Sequence, residues 1–370
     1  MSSEIFINIS KIIEQESKTS TYKFALLRGT IELIQEYTPY TRVKEGRVFM
    51  PMGLLINKWV FFYFPLVKDP SNIPQINGDK LIAFEQEIKK IIENYSQRGD
   101  IYVLYNEIRT SNLEETPKRL LVHLYKKLQK TISNMPMKYL GSSINKSQYS
   151  IFHYHPPVNH RNKVTETDFV TGYGEFSIPV EYYDAFRVLG SFINGQDSII
   201  TKWADFSWSS TKNKVKDKSS IISILTDSPI TDRDVNESKT LFKKIYKNNG
   251  SIDCVWTGKL ITNLDKYDLD HILPFSVWRN NDMWNLLPTT STVNKQKSNR
   301  IPSPTRLENT SQRIFKYWHL LHHENQTRFT REIEQALLGK PISNGWEELA
   351  LNRLKEHSEY LIRYRGCEQW

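Results

Sequence analysis

Residues 253–303 read DCVWTGKLITNLDKYDLDHILPFSVWRNNDMWNLLPTTSTVNKQKSNRIPS, and they carry the clearest structural signals of the C-terminal part of the chain. Asp270 and His271 are neighbours in it, and neighbouring residues of a strand point to opposite sides of the sheet. The two side chains can therefore act together only where a strand ends or kinks. Pro274 follows the histidine closely and favours such an end, since proline cannot donate to a strand ladder.

The second half of the stretch predicts a further strand and a helix. Residues 285–288 read NLLP, and the polar residues after them predict a helix that opens at position 289 or 290. Asn294 lies on that helix with Lys297 one turn later, because residues three apart share a helix face. The local signals thus predict strand, loop, strand and helix in that order.

The residue types in this segment suit cleavage of a phosphodiester bond. Such a reaction needs an activated water, a cation that neutralises charge on the phosphate and the leaving oxygen, and groups that align both. The Asp270 carboxylate suits a hard divalent ion, and the His271 imidazole can take up a proton near neutral pH. The amide oxygen of Asn294, on the predicted helix, can complete a metal site with Asp270.

These residues make the segment similar to the HNH (ββα-metal) nuclease family. The resemblance is carried by Asp270, His271 and Pro274, then Asn285, then Asn294 with Lys297. The segment looks most like the HNH domain of RNA-guided CRISPR effector nucleases, because YDLDHI leads into the histidine and the two asparagines follow it by 14 and 23 residues. WTGK at residues 256–259 also looks like the turn before the finger in that group. The sequence matches no other part of an RNA-guided effector, so the resemblance is not extended to a guide RNA.

The resemblance implies a role for four residues. His271 would be the general base that deprotonates water, and Asp270 and Asn294 would ligate a single Mg²⁺ or Mn²⁺. Asn285 would brace the loop that orients His271 and is counted with the catalytic residues, although it also suits a simple turn. An inactive finger that only binds nucleic acid is the alternative for the segment as a whole.

Basic residues in and near the segment are candidates for nucleic-acid contact. Lys295, Lys297 and Arg300 lie on or just after the predicted helix, where phosphate contacts and solvated helix-end charges are both open. Lys212 and Lys214 belong to the run KNKVKDK, which is either a solvated linker or a contact to the DNA backbone.

The rest of the chain divides into regions with different residue patterns. Residues 1–134 show apolar residues at helical spacing and predict a helical region. Residues 135–235 combine strand and loop signals with a basic, polar linker that starts near residue 211. The finger then occupies 236–304, and residues 305–370 form a C-terminal helical extension. The predicted class is α+β, mainly helical, with the ββα-metal finger between the other two parts.

Local end signals sharpen some of the helices. Residues 52–67 predict a buried helix that ends at or before Pro65, since the residue before a proline avoids the helical conformation. Thr116 followed by Pro117 predicts a helix start. Asn344 with Glu347 gives a capping-box pattern before the last helix.

Composition narrows the class of protein. Lys and Arg number 50 against 41 Asp and Glu, and the resulting net charge of +9 fits either a nucleic-acid partner or mere solubility. Two cysteines cannot build a disulfide framework, and Thr257 stands where a zinc-binding partner of Cys254 would be, which argues against structural zinc. The longest apolar run, residues 59–67, is too short to span a bilayer, and the N-terminus lacks the pattern of a secretory signal. A cytoplasmic protein without a membrane partner is expected.

The sequence therefore predicts a metal-dependent HNH endonuclease that nicks DNA or cuts both strands. By analogy of architecture, a nuclease with a large N-terminal region resembles bacterial restriction or anti-phage defence effectors. A catalytically weak nucleic-acid-binding module and an RNA-directed nuclease of the same fold stay open. DNA is the predicted partner, and the N-terminal region could also serve a regulatory protein, an ATPase or self-association.

Overall fold

The computed structural model describes residues 3–15, 19–36, 38–78, 80–110, 113–141, 150–157, 168–188, 198–210, 217–227, 235–262, 267–278 and 281–370. The chain forms two compact units. Unit 1 comprises residues 1–108 and 112–229, and unit 2 comprises 109–111 and 230–370. Helices dominate and the strands form small sheets, which confirms the predicted mainly helical α+β class.

The part of the chain before residue 230 is mostly helical. Its helices are α1 (Ser3–Gln15), α2 (Tyr22–Glu36), α3 (Met52–Lys68), α4 (Glu85–Tyr95), α5 (Asp100–Thr110), α6 (Glu115–Asn134), α7 (Pro136–Tyr139), α8 (Val180–Val188), α9 (Ile199–Ser209) and α10 (Lys218–Thr226). Its strands are β1 (Arg42–Lys44), β2 (Arg47–Pro51), β3 (His153–His155) and β4 (Glu175–Pro179). The four strands form one antiparallel sheet in the order β1-β2-β4-β3.

Helix α3 is the buried centre of unit 1 and packs against α2, α4 and α6. Gly53 allows its start to approach a neighbouring loop, because a Cβ at this position would lie 2.2 Å from the Phe169 carbonyl oxygen. The helix runs through Pro65 to Lys68, so the predicted end at or before Pro65 is wrong. The missing proline N–H removes one helical hydrogen bond, and burial of Leu66 stabilises the last turn nonetheless.

Two other local predictions in this part of the chain need correction. The predicted linker from residue 211 contains helix α10, whose Ile221 and Leu225 are buried in the core of unit 1. The polar residues on both sides of this short apolar stretch concealed it. Helix α6 begins two residues earlier than predicted, with Glu114 rather than Thr116 at the cap position.

Unit 2 contains the predicted finger. Its strands are β5 (Ile252–Asp253), β6 (Leu260–Ile261), β7 (Tyr267–His271) and β8 (Leu286–Thr290). Its helices are α11 (Asn236–Asn249), α12 (Phe275–Trp278), α13 (Ser291–Lys297), α14 (Pro304–Glu324), α15 (Gln326–Ile333) and α16 (Trp346–Arg365), with a π-helical turn at Glu334–Leu338. Strands β7 and β8 pair antiparallel, and Thr290 caps α13 by accepting from Val293 N. This confirms the predicted order of strand, loop, strand and helix.

The C-terminal helices share one core with the finger. In α14, Arg313 Nε donates to the Val255 carbonyl oxygen at 2.6 Å, and Trp318 Nε1 donates to the Trp284 carbonyl oxygen at 2.9 Å. Trp318 is fully buried, so this helix provides much of the apolar support of the finger. Helix α16 starts after Gly345, which has a φ of 75° and no side-chain cap, so the predicted capping box is not formed.

Among the described helices, none combines the length and the apolar character needed to cross a membrane.

Candidate active site

Helix α13 lies against strand β7 and brings two pairs of polar side chains together. Asp268 and Asp270 are two residues apart on the strand and therefore share a face. Asn294 Nδ2 donates to Asp268 Oδ2 at 3.1 Å, and Lys297 Nζ donates to Asp270 Oδ1 at 3.1 Å. The ββα fold thus converts positions far apart in sequence into one polar seam between strand and helix.

Asp270 is the more deeply held of the two carboxylates. It is 2% exposed, and its second oxygen, Oδ2, accepts from Trp256 Nε1 at 2.7 Å. Trp256 belongs to the turn before the finger, and its ring is backed by Trp370 with ring centroids 5.0 Å apart. A buried carboxylate needs such partners, because an unpaired charge in the interior is strongly unfavourable.

His271 ends strand β7, opposite Leu286, and is 1% exposed. Its Nε2 lies 3.3 Å from Asn281 Oδ1, and the Phe275 ring packs against it edge to face. An amide oxygen only accepts hydrogen bonds, so this contact requires the proton to sit on Nε2. In the neutral ring Nδ1 then carries the lone pair, and this atom is buried in the structure.

Asn285 closes the loop that follows His271. Its Oδ1 accepts from Leu273 N at 2.8 Å and its Nδ2 donates to the Leu273 carbonyl oxygen at 3.0 Å. Its own carbonyl oxygen accepts from Ile272 N at 2.8 Å. The side chain is completely buried, so three hydrogen bonds without competing water fix the backbone directly after His271.

The loop that carries Asn281 is fastened from helix α15. Arg328 Nη2 donates to the Asn281 carbonyl oxygen at 3.3 Å, and Glu332 Oε2 accepts from Met283 N at 2.7 Å. Arg328 and Glu332 also pair with each other at 2.6 Å. The Asp282 carboxylate accepts from the indole nitrogens of Trp278 and Trp284. The partner of His271 is therefore placed by residues outside the finger.

Because Glu332 is a buried acid, we expect the stability of the folded chain to depend on pH. Burial, and after it the nearby Asp282 carboxylate, raise the pKa of Glu332 to about 7, while Arg328 and Arg109 oppose the rise. Glu332 thus holds its proton in the folded chain between its ordinary value of 4.5 and about 7, where the unfolded chain has lost it. Stability must fall as pH rises through this window, by at most roughly 1.4 kcal/mol per pH unit.

The variant Glu332→Gln should remove this slope. We expect the free energy of unfolding of the variant to change less between pH 5 and pH 7.5 than that of the wild type, as measured by denaturant titration at each pH. Glu308→Gln is the matched control, because the Glu308 side chain is 61% exposed. An unchanged slope in Glu332→Gln would show that this carboxyl titrates normally.

The polar seam has the donor chemistry for a hard divalent ion. Asp268 and Asp270 offer carboxylate oxygens and Asn294 an amide oxygen, the ligands that Mg²⁺ and Mn²⁺ prefer. Hydrogen bonds to Asp270 do not exhaust its lone pairs, because an ionised carboxylate has about four acceptor sites. Within the described part of the chain, no three His, Cys, Asp or Glu residues are grouped to hold a metal, so a site here depends on Asn294.

Comparison with known families assigns most of the chain. The family described as Domain of unknown function (DUF8808) matches residues 2–225, which is more than half of the sequence. The chain belongs to this family. The HNH endonuclease family matches residues 254–303, the segment that forms the ββα finger and the polar seam. No curated protein and no solved structure matches the chain.

The HNH endonuclease domain at residues 254–303 implies a nuclease, that is, a hydrolase that acts on nucleic acid. The match begins at Cys254, whose buried thiol lies 3.3 Å from Thr289 Oγ1 in the core. It ends before helix α14 and leaves the C-terminal helices of this DUF8808 family member without a match. The contacts of Asn281 with Arg328 therefore reach beyond the matched domain.

The basic residues predicted to contact nucleic acid are placed differently from one another. Lys297 is completely buried, with its ammonium group on Asp270 and on the His271 carbonyl oxygen, so its prediction as a phosphate contact is wrong. Lys295 is exposed on the same helix, and Arg300 is partly exposed near Glu368. Lys212 and Lys214 lie outside the described residues.

Three residues that touch the predicted site were not assigned to it from the sequence. Asp268 had a usable signal, since it precedes Asp270 by two residues and must share its face of the strand. Trp256 and Asn281 had none, because only the folding of the turn and the loop brings their polar atoms to Asp270 and His271.

Proposed function

We propose that this chain is an endonuclease that hydrolyses phosphodiester bonds in DNA with one bound divalent metal ion. The observation that carries the proposal is the ββα finger of the HNH endonuclease domain. It sets His271 at a strand end, directly after Asp270 and with Asn294 on the facing helix. These are the three positions at which HNH nucleases, which the segment resembles, keep their base and their metal ligands.

The residues of this chain divide the work. His271 accepts a proton from the attacking water, and Asn281 Oδ1, 3.3 Å from its Nε2, orients the ring. Asn285 holds the backbone after His271 rigid, so the ring stays aligned with the water. Asp270 and Asn294, with Asp268 beside them, would hold Mg²⁺ or Mn²⁺. An ion bound there would neutralise charge on the scissile phosphate and the leaving oxygen.

Two features support DNA as the substrate and a role in defence. The net charge of +9 favours a polyanionic partner. Lys295 is exposed on the helix that carries Asn294, and Arg300 is partly exposed just after it, so we propose that both contact the phosphate backbone. The similarity of YDLDHI and its spacing to the HNH domains of RNA-guided effectors concerns nucleases that cut DNA. A bacterial restriction or anti-phage effector in the cytoplasm, with unit 1 as the part that selects substrate or partner, fits this architecture.

The test is cleavage by the purified full-length chain. Supercoiled plasmid and a structured RNA are incubated side by side with Mg²⁺, with Mn²⁺ and with EDTA, and the products are resolved on gels. We expect nicked or linear plasmid with either ion and intact plasmid in EDTA, since the reaction depends on the bound cation. The His271→Ala chain, purified in parallel, controls for contaminating nucleases.

Other outcomes would select an alternative. Cleavage of RNA with intact plasmid would make the chain an RNA-directed nuclease. Binding of DNA by the chain without cleavage in the presence of either ion would favour a binding module with an inactive finger. Activity that appears only with a co-purifying protein or ATPase would identify a regulated effector, and a pull-down with the full chain supplies that partner.

A further inference from the structure

The side chain of Lys297 occupies an unusual place for a lysine. It ends helix α13 and is 0% exposed, whereas lysines are almost never fully buried unless they are paired. Its Nζ donates to Asp270 Oδ1 at 3.1 Å and to the His271 carbonyl oxygen at 2.6 Å. The proposed metal ligand and the backbone of the proposed base are thus both tied to one ammonium group.

A divalent ion and this ammonium group compete for the same carboxylate. Two cations held a few ångströms apart beneath the surface repel each other strongly, because few water molecules screen them. Asp270 is 2% exposed and has Trp256 Nε1 on its other oxygen, so it cannot turn to serve both cations separately. An ion on a remaining lone pair of Asp270 would lie close to the ammonium group, and the repulsion between the two cations favours displacement of that group.

We propose that Lys297 is a built-in counter-ion that holds the finger folded while no divalent ion is bound and withdraws from Asp270 when the ion binds. This inference rests on the proposed metal site. It assigns to Lys297 control over metal affinity instead of contact with nucleic acid. Trp256 keeps Asp270 in place throughout, since its hydrogen bond to Oδ2 does not involve Lys297.

The end of helix α13 is built so that Lys297 can leave. The next residue, Ser298, has a φ of 52° and a ψ of −131°, a backbone conformation that residues other than glycine rarely adopt. Ser298 and Asn299, the two residues directly after Lys297, are both exposed, and the next completely buried side chain is that of Ile301. Local strain that is relieved by this movement would lower its cost.

The experiment measures binding of Mn²⁺ to the full-length chain in the absence of nucleic acid. Lys297→Met removes the charge and keeps the apolar stem, and Lys295→Met is the matched control on the exposed side of the same helix. Isothermal titration calorimetry gives the dissociation constant, and thermal unfolding with and without Mn²⁺ gives the Tm. Lys297→Gln, which can still donate to the His271 carbonyl oxygen, replaces Lys297→Met should the latter not fold.

The competition predicts opposite effects on the two measurements. Without metal, Lys297→Met should have a lower Tm than the wild type, because Asp270 is left buried without its counter-ion. It should bind Mn²⁺ with a dissociation constant at least about tenfold lower, and Mn²⁺ should raise its Tm more than that of the wild type. Lys295→Met should match the wild type in both respects.

The inference fails if Mn²⁺ binds the wild type at Asp270, as judged by its loss in Asp270→Asn, and Lys297→Met or Lys297→Gln binds no more tightly. That result would leave the proposed function standing and make Lys297 a permanent structural partner. Absence of Mn²⁺ binding in every chain would overturn both the inference and the metal site on which it rests.

Discussion

His271→Ala is expected to lower the rate of DNA cleavage by roughly 10²–10⁴-fold, the usual contribution of a positioned general base. In the proposed mechanism the ring is the proton acceptor for the attacking water, and alanine leaves nothing in its place. Because His271 is 1% exposed, the truncation also leaves a small cavity beside Phe275, and we expect a modest loss of stability without loss of fold. The rate is measured as nicking of supercoiled plasmid with protein in excess and saturating Mn²⁺.

His323→Ala is the control for this variant. The His323 side chain is 85% exposed near the end of α14, so its removal should change neither rate nor stability. A His271→Ala chain that remains folded and cuts plasmid within about tenfold of the wild-type rate would show that another group activates the water.

Asn285→Ala is expected to damage both stability and cleavage. The substitution removes the hydrogen-bond partners of the buried N–H and carbonyl oxygen of Leu273. Each group left unsatisfied destabilises the fold by about 1–3 kcal/mol. The free energy of unfolding should therefore fall by roughly 2–6 kcal/mol, as measured by denaturant titration. Cleavage should fall as well, even at temperatures where the variant is folded, because the loop no longer fixes His271.

Asn299→Ala tests whether the effect is specific to this site. Asn299 is exposed just after helix α13, so its truncation should leave the unfolding curve and the cleavage rate unchanged. Wild-type stability in Asn285→Ala would mean that solvent or another side chain satisfies Leu273. Full activity in a destabilised variant would separate the bracing of the loop from catalysis.

The order of the strands and the helix in the finger could be predicted because the sequence signals for them are local. The strand end near Pro274, the NLLP run and the polar helix after it each follow from a few neighbouring residues. They place His271 at a strand end and Asn294 on the facing helix, as the structure has them. The helix at residues 218–226 was not predicted, because its apolar pattern is short and lies between polar residues. Its burial depends on distant helices, which local signals do not reveal.

The polar contacts of the site could not be predicted, because they join residues far apart in the chain. Trp256 reaches Asp270 only after the turn before the finger folds back on the strand, and Asn281 reaches His271 only when helix α15 holds its loop. No periodicity relates these positions. The structure therefore added the groups that orient the predicted base and the predicted metal ligand.

The class of the chain, the ββα order of the finger and the residues proposed to carry nuclease chemistry could be predicted, since each follows from residue type and short spacing. The surroundings of those residues depend on how distant parts of the chain pack together. Lys297 shows the physical reason: its position one turn after Asn294 predicted a charge open to phosphate, yet the packing of α13 on β7 buries it against Asp270. Burial depends on what packs against a side chain, and that is a property of the whole fold.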